Sequence, residues 1–388
     1  MKKILGLVTL LLFAFVLVGC GETTTEATTA APTTAAPTTE ADYEIALVTD
    51  IGTIDDGSFN QGAWEGVVQY ATENSITYKY YQPATATTDD RVSTIELAIA
   101  NGATTVVCPG YMFENVIWIV QDDYPDVNFI FLDGSPSNVV TWDDASTPDV
   151  DETELLAGST EMDFTVGDNV LPIFYQEEQV GFLAAYAAIM DGNTELGFVG
   201  GVAVPAVQRY GYGYLQGAAY AAAELETNVT VNYWYSNVFW EDQTVQSKAA
   251  GWYLSGTEVI FAAAGGAGGS VMTAAEQELG LVIGVDIDQA GDSDTVLTSA
   301  LKGLTASVYD ALVSIYDETF VGGTAITLGA AEGGVGLTID TARFTTFDDT
   351  AYQAILALLV DETIVVSNDI TVTPDSFETT YLTVNFEQ

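Results

Sequence analysis

The sequence predicts an α/β protein of two doubly wound, parallel-sheet lobes joined by a hinge. Three observations predict it. Short apolar, β-rich runs alternate with longer stretches of helical spacing, the pattern of βαβ units whose strands are buried on both faces. The alternation restarts near residue 180, at GFLAAYAAIM. From Tyr43 onward the chain also exceeds the roughly 250–300 residues at which a single core stops growing.

Strands are expected at residues 45–49, 78–81, 104–108, 129–132, 196–199, 259–262 and 281–285. Helices are expected between them at 59–73, where Phe59, Ala63, Val67 and Tyr70 recur at helical spacing, and at 90–100, 181–190, 210–223 and 299–316. Lobe 1 is expected to take residues 43–177 plus about 290–325, and lobe 2 residues 178–289 plus about 326–388. The stretch from Asn138 to Glu178 is long and acid-rich, without a clear period.

Ahead of the folded part, Met-Lys-Lys, an apolar run from Ile4 to Val18 and a small-residue site make residues 1–19 a signal peptide. The run is shorter than the roughly 20 residues a spanning helix needs. Leu17-Val18-Gly19-Cys20 resembles a bacterial lipobox, which implies cleavage before Cys20 and diacylglycerol on its sulfur. Two acyl chains, palmitate for example, make a stable anchor where one would be marginal. The chain is thus expected at the extracytoplasmic face of a cell membrane, lipid-anchored. Residues 20–42 form an Ala/Thr/Pro-rich linker with no large apolar side chain, a solvated tether.

Only two cysteines occur, and with Cys20 acylated Cys108 has no partner. Its setting, Thr-Val-Val-Cys-Pro, marks it as a buried strand thiol. Eight Lys and Arg stand against 55 Asp and Glu. Such a field repels nucleic acid and nucleotides, and favours a neutral or cationic partner. Cleavage leaves six cations, Lys79, Arg91, Arg209, Lys248, Lys302 and Arg343, so each is a candidate for a specific task. The chain has no histidine, which excludes His-based triads and His-ligated zinc.

Ligands of doubly wound sheets bind at the carboxyl ends of strands, so the residues after each strand carry the functional reading. After the first strand come Asp50, Asp55, Asp56, Ser58, Phe59 and Asn60. Ser58 reads as a helix N-cap, and Phe59 as either a core contact of the first turn or a ring facing a ligand. FLDGS places Asp133 at a strand end beside a turn glycine. In the second half, YWYSNVFWED ends a strand with Phe239 and Trp240. VIFAAA runs into the glycine-rich 265–270, which lacks both the lysine of a P-loop and the GxGxxG spacing. LVIGV runs into Asp286-Ile-Asp288-Gln289. DIDQAGDSD looks like a calcium loop, but Ala290 and Leu297 occupy ligand positions and a strand leads into it where an EF-hand needs a helix.

Taken together, VTDIGTIDDGSFNQGAWEGV, QVGFLAAYAA, GFVGGVAVPAVQRYGYGYLQGA, AAGGAGG and GVDIDQ resemble the basic membrane protein (PnrA-like) family of ABC transporter substrate-binding lipoproteins. The likeness covers most of residues 44 to about 310, in matching order. It implies a type I periplasmic-binding-protein-like fold and a purine nucleoside held in an interlobe cleft between two aromatic rings. By motif the first ring is Phe59, and the second is Phe239 with Trp240 as rival. The resemblance further implies base-edge contacts from Asp50, Asn60 and Asp133, and ribose contacts from Gly266, Asp286 and Lys302. Arg209 departs from the motif and reads as a structural ion-pair partner.

The expectation is therefore a monomeric, non-enzymatic carrier that needs no cofactor or metal and hands inosine, guanosine or adenosine to an ABC permease and ATPase. Three alternatives stand beside it. The same fold could bind a sugar or another small polar ligand, clustered aspartates near a metal could make a nucleoside hydrolase, or a surface receptor could have lost transport.

Overall fold

The computed structural model describes residues 43–140 and 154–387. The signal peptide, the linker and Cys20 lie outside the described residues. Strands β1 (Ile45–Val48), β2 (Tyr78–Tyr81), β3 (Thr105–Pro109), β4 (Asn128–Leu132) and β5 (Val170–Tyr175) alternate with helices α1 (Phe59–Asn74), α2 (Thr88–Ala100) and α3 (Glu114–Val120). The second series is α4 (Glu177–Met190), β6 (Glu195–Gly200), α5 (Pro205–Leu225), β7 (Val229–Tyr235), α6 (Gln243–Leu254), β8 (Val259–Ala263), α7 (Gly268–Glu278), β9 (Leu281–Asp286) and β10 (Val296–Lys302). The chain closes with α8 (Leu304–Tyr316), β11 (Ile326–Leu328), β12 (Val335–Leu337), α9 (Asp349–Val360) and β13 (Leu382–Glu387).

These strands make two sheets, in orders β11-β5-β4-β3-β1-β2 and β12-β10-β9-β8-β6-β7-β13. All pairings are parallel except that of β12 with β10. Strands such as β1, β3, β4 and β8 are apolar and almost wholly buried, as central strands covered by helices on both faces must be. The winding reverses between β1 and β3 in the first sheet and between β6 and β8 in the second, whose last strand, β13, returns to the edge beside β7. Such switch points open a crevice at the strand ends.

The chain passes between sheets three times, after β5 at Gln176, after β10 at Gly303 and between β11 and β12. Backbone bonds lace the passages together: Gln176 N–H to Leu328 O at 3.1 Å and Gly303 N–H to Gly334 O at 2.8 Å.

Two expectations are corrected here. Residues 299–302 were expected to begin a helix and to lie in lobe 1, yet they belong to β10 of the second sheet, paired with β9. Val296-Leu-Thr-Ser-Ala-Leu-Lys has the β-branched start of a strand, and the register to Gly284 and Val285 outweighs the helical spacing that continues from α8. The passage to lobe 1 therefore falls at Gly303, where α8 begins to pack on α1. Within 326–388, expected in lobe 2, β11 instead extends the first sheet beside β5.

Candidate ligand-binding site

The two switch points face one cavity. Asp50, Gly110, Asp133 and the start of α1 line it from the first sheet, and Phe239, Gly265, Asp286, Lys302 and Tyr210 from the second. Of the residues singled out in sequence, Asp50, Phe59, Asn60, Asp133, Phe239, Asp286 and Lys302 all lie on this wall. Gly266 does not. Its neighbour Gly265 does, because a left-handed φ of 55° turns the backbone there toward the cleft before the next turn begins. Trp240 is 52% exposed and off the wall, so Phe239 alone of that pair faces the cavity.

Phe59 opens α1 and is half-buried, resting on the core while its other side lines the cavity. Phe239 follows β7 and packs against Gly201 at the end of β6, where an added Cβ would sit 2.3 Å from the ring. Only glycine permits that approach. Gly110 serves Asp50 likewise: with φ of 114°, a side chain there would meet the carboxylate at 2.6 Å.

Ser58 departs from its expected role. It makes no cap bond, and Asp56 takes that place, accepting from the backbone N–H of Ser58, Asn60 and Gln61 at 2.9, 3.1 and 3.1 Å. Burial raises the Asp56 pKa, and these bonds offset only part of the rise. The Ser58 hydroxyl donates instead across the cleft to Asp286 Oδ2 at 2.5 Å. Gln289 reinforces the contact by donating to Gly57 O at 2.7 Å.

Asn60 donates its amide to both Asp50 Oδ1 and Asp56 Oδ2, at 3.2 and 3.1 Å. Two acids on the nitrogen fix the amide's orientation, since carboxylates only accept. Its buried Oδ1 has no partner, and neither has Asp133 Oδ1. Asp133 and Asp286 both end strands in the left-handed region, at φ of 64° and 67°, which short acids tolerate better than other side chains.

Asp286 and Lys302 do not pair directly. Asp286 Oδ1 accepts from the Tyr210 hydroxyl at 3.1 Å, while Lys302 Nζ meets Asp133 Oδ2 at 2.5 Å and Glu177 Oε1 at 2.8 Å. The ammonium also lies 5.0, 4.9 and 5.6 Å from the ring centres of Phe59, Tyr175 and Tyr210. Burial pushes the Asp133 pKa up to about 7 against the pull of Lys302, with Glu177 adding to the rise. Burial would lower the pKa of Lys302, but Asp133, Glu177 and Asp286 outweigh it and raise it.

Glu177, Arg209, Tyr210 and Asp56 completed this site without being assigned to it in sequence. Arg209, expected as an ion-pair partner, binds Glu177 through Nε at 2.6 Å. The signal that could have found Glu177 is its place: a charge at the boundary of a strand and a helix that is apolar beyond its first turn needs a buried partner. Its neighbour Glu178 is buried too, with Oε2 unpartnered, and burial first and Glu177 next raise its pKa to about 7. A raised carboxyl stabilises the fold fully below its ordinary pKa near 4.5, and that contribution is lost as pH rises through about 7. Glu178→Gln is therefore expected to melt like the wild type near pH 4 and to be more stable at pH 8, by roughly 1–3 kcal/mol, in thermal scans.

Elsewhere, Cys108 is buried in β3 and free, its thiol pKa raised by burial. No described helix is long and apolar enough to cross a membrane.

The fold agrees with that of known proteins. A structure from Aeropyrum pernix K1, described as an ABC transporter system solute-binding protein, superposes with a TM-score of 0.68 at 19% identity, covering 84% of this chain and 94% of that one. The "ABC transporter nucleoside-binding protein BmpA" of Lactococcus lactis is 27% identical over 324 residues, 78% of this chain and 83% of its own. The "CD4+ T-cell-stimulating antigen" of Listeria monocytogenes is 28% identical over 319 residues, covering 76% and 80%. The family model "ABC transporter substrate-binding protein PnrA-like" matches residues 44–367, and the chain belongs to that family of ABC transporter substrate-binding proteins.

Proposed function

We infer that this substrate-binding protein carries a purine nucleoside, without catalysis, from the extracytoplasmic side to an ABC permease. One observation carries the reading: Asp133 Oδ1 and Asn60 Oδ1 are buried acceptors without partners, on the wall that Phe59 and Phe239 also line. Leaving a buried acceptor unpaired costs about 1–3 kcal/mol, so the pair calls for a ligand with N–H donors along an edge. A hypoxanthine or guanine ring offers those donors, and its flat faces suit two phenyl rings.

Charge narrows the class further. Asp50, Asp56, Asp133 and Asp286 border the cavity, against Lys302 as the only cation among the described residues lining it. A nucleotide's phosphate would meet acids, whereas a neutral nucleoside meets acceptors. Asp286 keeps lone pairs for a sugar hydroxyl beside Ser58 and Tyr210. The name of the Lactococcus relative supports the same ligand class.

Anchoring through lipid on Cys20 completes the proposal, since it keeps the carrier beside its transporter. Release by detergent and not by high salt, and loss of the anchor in Cys20→Ser, test that part.

Mass spectrometry of small molecules released on denaturing freshly purified protein tests the ligand. A purine nucleoside in near-equimolar amount is expected, and a sugar or free base with ribose would overturn the reading. Base stacking on an aromatic ring is worth about 1–3 kcal/mol, so Phe59→Ala is expected to weaken binding some 5- to 150-fold by calorimetry. Its melting temperature should change little, because Phe59 is only half-buried.

A further inference from the structure

The structure assigns Glu177 and Arg209 as positioning residues that set the ligand-reading carboxylate of Asp133 through Lys302. This rests on the nucleoside reading of the cavity, but the chain of contacts stands outside it. Neither Glu177 nor Arg209 lines the cavity. Arg209 Nε, on α5, holds Glu177 Oε2 at 2.6 Å, and Glu177 Oε1 holds Lys302 Nζ at 2.8 Å. Lys302 in turn holds Asp133 Oδ2 at 2.5 Å, leaving Oδ1 without a partner.

Two of these residues sit at passages between the lobes. Glu177 follows the passage after β5, and Lys302 precedes the passage at Gly303. The third passage is tied to the same turn by Gln179, whose Oε1 accepts from Ala330 N–H at 2.7 Å. Asp133 belongs to the first lobe and Arg209 to the second. The relay therefore spans the hinge, and any change of lobe angle acts on the carboxylate that meets the ligand.

Electrostatics requires each member. Glu177 is wholly buried, and its pKa, which burial alone would raise, is held below the ordinary range by Arg209 and then Lys302. A lysine with only Asp133 for company would be free to swing toward Asp286, whose charge also acts on it. Glu177 opposes this by placing a second negative charge 2.8 Å from the ammonium. The rings of Phe59, Tyr175 and Tyr210 close the remaining sides, and the Tyr175 hydroxyl is fixed by Ser307 at 2.5 Å.

The test is a double-mutant cycle on the mature protein, read by inosine titration. Glu177→Gln is expected to weaken binding about 10- to 100-fold, while Glu177→Gln on top of Asp133→Asn costs no more than about 3-fold beyond Asp133→Asn alone. Factors that multiply independently would overturn the proposal. Should Glu177→Gln fail to fold, Arg209→Met should weaken binding and Arg209→Lys should restore most of it; equal loss in both would count against the relay.

A ligand-free readout separates this proposal from the nucleoside reading. In protein labelled with nitrogen-15, the Lys302 ammonium should give a slowly exchanging signal that Glu177→Gln abolishes. If wild-type protein ignores every purine nucleoside yet shows that behaviour, the ligand assignment falls and the relay stands. If Glu177→Gln leaves the signal unchanged, the relay falls.

Discussion

Lys302→Met is expected to lower the unfolding free energy of the ligand-free protein by about 3–5 kcal/mol at pH 8, the cost of removing one partner from a buried ion pair. The lysine side chain is 1% exposed and stands between Asp133 and Glu177, with Asp286 acting on it from further away. Methionine keeps the shape of the stem and removes the charge, so three buried acids lose their shared counter-ion. They can escape by taking up protons, and this sets the pH dependence.

Without the lysine their folded pKa values rise, and a raised carboxyl contributes stability below its unfolded pKa that is lost as pH rises. The destabilisation should therefore shrink markedly at pH 5. In the wild type, the raised pKa of Lys302 means that its own contribution is complete below its ordinary value near 10.5 and is lost only above it. Urea unfolding at pH 5 and pH 8 measures the difference. A loss under about 1 kcal/mol at pH 8 would mean that water reaches the cluster and that the buried ion network is not what joins the lobes.

The second large effect concerns recognition. Asp133→Asn is expected to weaken inosine binding about 30- to 5,000-fold, corresponding to roughly 2–5 kcal/mol for removing one side of a buried charge-assisted contact. Oδ1 of Asp133 is the acceptor left open on the cavity wall, and an amide there can present its N–H₂ to a ring N–H donor. The loss should fall on ligands carrying a ring N–H. Adenosine, whose N1 accepts and does not donate, should lose much less, so the variant should narrow or reverse the preference between the two nucleosides. A uniform loss for both would show that Asp133 acts by supporting Lys302 alone.

Much of this architecture is legible in the chain because strand ends carry distinctive chemistry. Asp50, Asp133 and Asp286 each follow a short apolar run, and the structure brings all three to one cavity because parallel strands end on the same side of their sheet. Phe59 was ambiguous between core and ligand, and it touches both.

What sequence could not give is pairing across lobes. Ser58 has an N-cap's position, and only the folded chain brings Asp286 within reach of its hydroxyl. Asp286 and Lys302 lie close in sequence and could be read as partners, yet Lys302 turns to Asp133 and Glu177, residues 169 and 125 positions away. The strand at Val296–Lys302 was hidden because the apolar spacing of α8 extends backwards through it, and only pairing with β9 decides the matter. In each case a long-range contact overrode a sound local preference.

Calorimetric titration of ligand-free protein with inosine, guanosine, adenosine, cytidine and ribose addresses the proposed clamp most directly. One-site binding of purine nucleosides at submicromolar Kd is expected, roughly −8 kcal/mol or stronger, with ribose silent and cytidine far weaker. Binding of ribose with silence toward all three purine nucleosides would contradict it.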